Sequence, residues 1–136
     1  MKPINELTRE VIGLAMRVHS ALGPGLFETV YETVLAGKLE EAGYSVRRQV
    51  AVDIEFEGTC FPNAFKIDLF VDERLILEIK SIAALQPVHT KQLLTYLRLR
   101  NLPVGLILNF GGATMAEGIA RVVNKHKDSA NSADSA

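Results

Sequence analysis

The chain has 136 residues, 48% of them apolar and 23% charged, with a formal net charge of -1. This size and composition predict one soluble globular domain, and they exclude a fibre and a membrane span, which needs ~20 uninterrupted apolar residues. The balance of 15 Lys and Arg against 16 Asp and Glu argues by itself against a nucleic-acid-binding protein, because such proteins usually carry excess positive charge.

The first part of the chain carries apolar residues at the spacing of two amphipathic helices. One helix is predicted over residues 5–22, and Gly23-Pro24-Gly25 ends it. Its apolar stripe consists of Leu7, Val11, Leu14, Ala15, Val18 and Leu22. A second helix is predicted over residues 27–41, ending near Gly43. The residues expected to be buried on it are Val30, Val34, Leu35 and Leu39.

From residue 46 the spacing changes to the alternation of a β-strand, which continues to residue 56. Glu57-Gly58 and Pro62-Asn63 are expected to bracket a turn. Residues 65–71 and 75–82 then predict two strands of an antiparallel hairpin, joined by a short turn.

The last third of the chain predicts one more helix and one buried strand. Pro87 suits the start of a helix that runs to about residue 101, because Pro103 prevents its continuation. Residues 104–110 form an apolar run typical of a strand covered on both faces. Residues 118–124 fit a short strand and a short helix equally well.

The resulting order is α-α-β-β-β-α-β, which predicts an α/β (α+β) fold with helices flanking a central mixed sheet. Residues 1–126 are expected to form one domain. Residues 127–136, which are small and polar, are expected to be a disordered tail. A start without signal-like features and a single cysteine indicate a cytoplasmic protein.

Charged residues interrupt the predicted central hairpin. Alternation places one set of residues on a core face, namely Ile67, Leu69, Val71, Leu75, Leu77 and Ile79. The opposite face carries Asp68 on one strand, with Glu78 and Lys80 on its neighbour. A turn centred on Glu73 puts Asp68 directly across from Glu78, and a two-residue loop makes them diagonal neighbours. In both cases their Cβ atoms lie within about 5–8 Å.

This face is either simply solvated or a metal site. Like charges opposite one another destabilise a sheet unless a cation neutralises them, and the apolar third strand is expected to be central, with both faces covered. Asp68 and Glu78 supply the oxygen ligands that Mg²⁺ or Mn²⁺ prefers. Lys80 lies on the same face, where it can orient an attacking water or stabilise negative charge on a phosphate.

Asp68, nine further residues and then Glu78-Ile79-Lys80 resemble the active-site signature of the PD-(D/E)XK nuclease superfamily. Residues 25–31, GLFETVY, are similar to the motif that names the GxxExxY family, a small group within that superfamily. The segments 65–69 and 87–97 fit the same family. The resemblance covers about residues 4–124 and implies a restriction-endonuclease-like core. Ile67 stands where many members of the superfamily have proline.

The resemblance implies that Glu28 is an additional metal ligand beside Asp68 and Glu78. The alternative is that Glu28 compensates the helix dipole, a contribution of roughly 0.3–1 kcal/mol. Glu28, Tyr31 and Glu32 share a helix face by their spacing, so Tyr31 and Glu32 are secondary candidates for the site.

Gln92-x-x-x-Tyr96 resembles a motif of the RecB-like branch, in which the glutamine lies beside the catalytic lysine. The spacing places both side chains on one helix face, although a tyrosine there is more often part of the core. His89, one turn earlier, either approaches a phosphate or caps the helix. His19 and Cys60 are interpreted as structural.

Together these features predict a Mg²⁺- or Mn²⁺-dependent nuclease acting on DNA, with RNA as the alternative substrate. Asp68 and Glu78 would hold the metal with help from Glu28, and Lys80, positioned by Gln92, would activate water. The predicted contacts to the nucleic-acid backbone are Arg47, Arg48, Lys91 and Arg98. Two alternatives stay open: a partner-dependent module that binds without cutting, and an acidic face that is structural and binds no metal. No membrane partner is expected, and both monomer and homodimer are open.

Overall fold

The computed structural model describes residues 2–125. Two helices come first, α1 (Ile4–Leu22) and α2 (Glu28–Glu41), and three strands follow, β1 (Val46–Phe56), β2 (Thr59–Val71) and β3 (Leu75–Lys80). Next come α3 (Pro87–Arg100), β4 (Val104–Asn109), a short 3-10 helix (Ala116–Gly118) and β5 (Ile119–Val123). The tail predicted over residues 127–136 lies outside the described residues.

The five strands form one mixed sheet in the order β1-β2-β3-β4-β5. Only β3 and β4 are parallel, and α3 connects them. β3 is the middle strand, as predicted, and every residue of β4 is buried. The predicted α/β architecture with a mixed sheet and flanking helices is therefore confirmed.

Two apolar clusters cover the two faces of this sheet. The first joins the buried residues of α1 and α2 to one face, and we call it the α1/α2 side. The second joins Leu93 and Leu97 of α3 to the other face, and we call it the α3 side. Within residues 2–125, no helix has the length and apolar character needed to cross a membrane.

The outer ends of the first two helices differ from prediction. Leu22 and Val30, expected to be buried, are 40% and 38% exposed. Both flank the short connection between α1 and α2, so the end of each helix reaches solvent instead of the sheet. At the end of the chain, the segment that fitted two interpretations is the strand β5, preceded by the 3-10 helix.

The hairpin of β1 and β2 is longer than the sequence indicated. β2 begins at Thr59, and the turn consists of Glu57 and Gly58, both with positive φ. Pro62 and Asn63, expected in a turn, therefore lie inside β2. β2 pairs with β3 only at its last residues, so its other edge is open at Pro62, where a missing N–H costs no sheet hydrogen bond.

The prediction that Ile67 shares a core face with Leu69 and Val71 was wrong. Leu69 and Val71 pack on the α1/α2 side, whereas Ile67 packs on the α3 side. The change occurs where Gln49 of β1, with φ of 49°, lies opposite Asp68 and interrupts the pairing of β1 with β2. The hairpin thus changes sides of the sheet at the position of Asp68.

Candidate active site

Asp68 lies where β2 separates from β3. The pairing of these strands runs from Val71↔Leu75 to Leu69↔Leu77 and ends there, a register that corresponds to a turn centred on Glu73. Beyond that point, Asp68 Oδ2 accepts a hydrogen bond from the backbone N–H of Ile79 at 2.8 Å. The carboxylate thereby replaces a backbone acceptor that the departing strand no longer offers.

Glu78 is a buried acid with an unsatisfied oxygen. Its residue is 7% exposed, and Oε1 is a buried atom with no hydrogen-bond partner within residues 2–125. The pKa of Glu78 is raised from its ordinary 4.5 to about 8, chiefly by burial and then by the negative charge of Asp68, against the lowering effect of Lys80. Such a carboxyl is mostly protonated at pH 7 unless a bound cation compensates the charge of its ionised form.

Lys80 ends β3 at the same place. Its backbone carbonyl accepts a hydrogen bond from the N–H of Phe110 at 2.8 Å, which fixes the strand end against β4. The side chain is half-buried, and it forms no ion pair with the described residues. The ammonium is therefore available to a ligand that enters the site.

Helix α3 brings Tyr96 to the carboxylates. The pKa of Tyr96 is raised by burial and then by the negative charges of Glu78 and Asp68, and the neighbouring Gln92 side chain opposes this. The tyrosine ring also stacks on Phe65 of β2, with ring centroids 4.1 Å apart. Gln92 and Tyr96 thus share one helix face, as their spacing predicted, and that face is directed at the site.

Glu32 is neutralised within the protein. It is 6% exposed, and Arg48 donates to its Oε2 through Nε and an Nη atom, at 3.1 and 3.0 Å. Gln49 donates to the other oxygen of Glu32 at 2.7 Å and to Asp68 Oδ1 at 3.3 Å. The amide of Gln49 therefore joins the ion pair of Glu32 to the carboxylate of Asp68.

Glu28 and Tyr31 have different places on α2. Glu28 is exposed in the first turn of the helix. Tyr31 is buried against Phe110, and its hydroxyl donates to the carbonyl of Gly23 at 2.5 Å and accepts from the N–H of Leu26 at 3.1 Å. Tyr31 therefore fixes the connection that precedes Glu28.

His89 caps α3. Its Nδ1 accepts a hydrogen bond from the backbone N–H of Gln86 at 2.9 Å, and the Gln86 side chain bonds to the backbone N–H of His89 in return. This reciprocal pair satisfies donors left free at a helix start. It corresponds to the capping alternative named for His89.

The acidic groups adjoin in a pair and not in a larger cluster. In the described part of the chain, no three side chains of His, Cys, Asp or Glu are arranged to hold a metal ion. Asp68 and Glu78 come together, while Glu28, the predicted third ligand, is not part of such a group.

Of the four residues predicted to contact the nucleic-acid backbone, two form ion pairs within the protein. Arg47 bonds to Glu73 at 2.7 Å, and Arg48 is held by Glu32. Lys91 and Arg98 are exposed on α3, the helix that carries Gln92 and Tyr96. Lys91 and Arg98, like Lys80, form no ion pair with the described residues.

Three residues near the site were not identified from the sequence. Gln49 links Glu32 to Asp68, and nothing in the alternation of β1 distinguishes it from an outward-facing residue. Ser81, the residue after β3, donates to the carbonyl of Leu26 at 2.6 Å and so joins the α1–α2 connection to the end of that strand. Asn109 is buried at the end of β4 and bonds to both backbone groups of Ile82. A polar residue ending an apolar run was the signal that could have identified Asn109.

A family model for the PD-(D/E)XK nuclease superfamily matches residues 5–122. That range contains the carboxylate pair, the lysine and the three α-helices except the first residue of α1. No curated protein and no solved structure matches the chain.

Proposed function

Because this chain belongs to the PD-(D/E)XK nuclease superfamily, we propose that it is a metal-dependent nuclease that hydrolyses DNA, within the GxxExxY group. The observation that carries the proposal is the meeting of Asp68, Glu78 and Lys80 where β2 leaves β3. Membership of the superfamily indicates a nucleic-acid substrate, and the choice of DNA and the need for a metal are our own inferences.

The residues present fit a divalent cation. Glu78 Oε1 is buried without a partner in the described chain, and the adjoining charge of Asp68 disfavours ionisation of Glu78. A cation would satisfy the free oxygen and neutralise both charges. Mg²⁺ commonly uses one or two carboxylates and completes its shell with water and substrate phosphate oxygens. A pair of acids is therefore a sufficient protein contribution.

The proposed reaction is attack of water on a phosphodiester. A bond forms between the water oxygen and phosphorus, the bond from phosphorus to one sugar oxygen breaks, and that oxygen takes a proton as water loses one. The chemistry that a bound cation supplies here is polarisation of the phosphate oxygens and a lower pKa for the attacking water. Asp68 and Glu78 would hold the cation.

Lys80 and α3 supply the other proposed roles. The Lys80 ammonium orients the water and stabilises negative charge that develops on the phosphate. Gln92 and Tyr96 border the same place and position the scissile group. Lys91 and Arg98 contact the nucleic-acid backbone on either side of them.

The test is digestion of linear, nicked and single-stranded DNA, and of RNA, with Mg²⁺ or Mn²⁺. Lys80→Ala should lower the rate by roughly 100-fold or more, the range typical of losing one group that stabilises charge in the transition state. Asp68→Asn should do the same while keeping an acceptor for the Ile79 N–H. Lys38→Ala, an exposed lysine of α2, is the matched control and should cleave normally. Full activity in both site variants would refute the proposed site.

A partner-dependent module that binds without cutting is the second candidate. It is favoured by the place of Glu28, the additional ligand that the resemblance implied: within residues 2–125 Glu28 forms no group with Asp68 and Glu78, which leaves two acids that can bind Mg²⁺. It predicts that Mg²⁺ raises the midpoint of thermal unfolding while no nucleic acid is cleaved. Cleavage that depends on Lys80 would exclude it.

A further inference from the structure

Phe27 is the most exposed large apolar residue described, with 85% of its surface accessible. Leu22, Leu26 and Val30, its neighbours at the connection of α1 and α2, are each about 40% exposed. These four exposed side chains lie within nine positions of the chain around this connection, and we call them the Phe27 patch. Apolar residues grouped in this way mark a contact surface more often than single exposed ones do.

The backbone beside Phe27 is held on both sides. The N–H of Leu26 donates to the Tyr31 hydroxyl, and the carbonyl of Leu26 accepts from Ser81 Oγ at 2.6 Å. The carbonyl of Phe27 accepts from the N–H of Val30 at 3.0 Å, inside the first turn of α2. An exposed phenyl ring thus stands on an ordered backbone.

Phe27 follows a residue whose carbonyl is bound to the segment after Lys80. Ser81 directly follows Lys80 in the chain, so the Ser81–Leu26 bond ties the residue before Phe27 to the end of β3. A nucleotide that flanks a substrate phosphate at Lys80 would reach Phe27 if the strand runs along this connection. The side chain that such a nucleotide meets there is a phenyl ring.

We propose that Phe27 stacks on a nucleobase of the substrate, and that the protein therefore prefers nucleic acid with an unpaired base next to the cleaved phosphate. The inference rests on the proposed function. A phenyl ring offers neither charge nor hydrogen bonds, and Glu28 beside it repels phosphate. The matching part of a nucleotide is therefore the flat face of its base, which is accessible only when unpaired or frayed.

The test compares three substitutions at Phe27 in the Lys80→Ala chain, which keeps the oligonucleotide intact. Binding to a single strand containing 2-aminopurine is followed by its fluorescence, which stacking quenches. Phe27→Ala and Phe27→Leu should weaken binding roughly 5- to 100-fold and abolish quenching, and Phe27→Trp should retain both. Phe56→Ala is the control, because Phe56 is also exposed but lies at the far end of the hairpin.

The outcomes separate this inference from the proposed function. If the unmodified chain cleaves DNA but Phe27→Ala binds and quenches as before, the stacking is overturned and the nuclease stands. If Phe27→Leu binds as tightly as the parent while Phe27→Ala does not, the patch makes a simple apolar contact and the stacking is again overturned. If the unmodified chain cleaves nothing but quenching depends on Phe27, the stacking stands and the nuclease does not.

Discussion

Replacing Glu78 with glutamine should make the protein more stable at high pH. The pKa of Glu78 is about 8 in the folded protein against an ordinary 4.5, so the folded state holds this proton more tightly than the unfolded state does. The stabilisation is therefore complete below about pH 4.5 and is lost as pH rises through about 8. At ~1.4 kcal/mol per pKa unit, the loss has an upper bound of about 5 kcal/mol. Glutamine has nearly the same shape and never ionises, so the Glu78→Gln protein should not lose this stabilisation as pH rises.

Urea unfolding followed by circular dichroism, with a chelator present, measures this difference. The free energy of unfolding of the parent protein should fall by several kcal/mol between about pH 5 and pH 9, while that of Glu78→Gln should change much less over the same range. Glu55→Gln, the same change at an exposed position of β1, should follow the parent. In the parent, Mg²⁺ at high pH should restore stability, because it binds the folded state and replaces the proton. Parallel pH curves for the parent and Glu78→Gln would refute the conclusion that Glu78 is a buried acid with a raised pKa.

Other substitutions test the packing around the site. Tyr31→Phe leaves two backbone groups without their partner and should lower the free energy of unfolding by about 1–3 kcal/mol in urea titrations, and an unchanged value would contradict a supporting role for the hydroxyl. Gly111→Ala should lower it by roughly 1–3 kcal/mol or more, because a Cβ there would lie 2.1 Å from the carbonyl oxygen of Ile82. At Gly13 of α1, by contrast, a Cβ would meet nothing within 4 Å, so Gly13→Ala should raise the free energy of unfolding by as much as about 1 kcal/mol. A loss as large as that of Gly111→Ala would contradict the conclusion that Gly111, and not Gly13, is tightly packed.

The sequence was sufficient for features that depend on local periodicity. The central position of β3 followed from its continuous apolar character, whereas the register centred on Glu73 was one of two that the sequence left open. Pro87 and Pro103 set the limits of α3 to within one residue, because a proline without an N–H is tolerated at a helix start and not in its interior.

The remaining features depend on contacts between distant segments. The change of side at Asp68 requires Gln49 to adopt a positive φ, a conformation that nothing around residue 49 in the sequence demands. The neutralisation of Glu32 by Arg48, and the tie between Ser81 and Leu26, join residues separated by at least 16 positions. The sequence therefore indicated candidate residues for the chemistry, and it could not indicate which residues hold them in place.

Because Asp68 bonds to the Ile79 N–H, mutations at Asp68 and at Lys80 should have different effects on folding. Asp68 completes the hydrogen bonding of the central strand whether or not any reaction takes place, whereas the Lys80 side chain has no structural partner among residues 2–125. Loss of Asp68 should therefore cost folding as well as chemistry, and loss of Lys80 should cost chemistry alone. A related protein that is no longer selected for the proposed cleavage would be expected to lose the lysine first and to keep the aspartate.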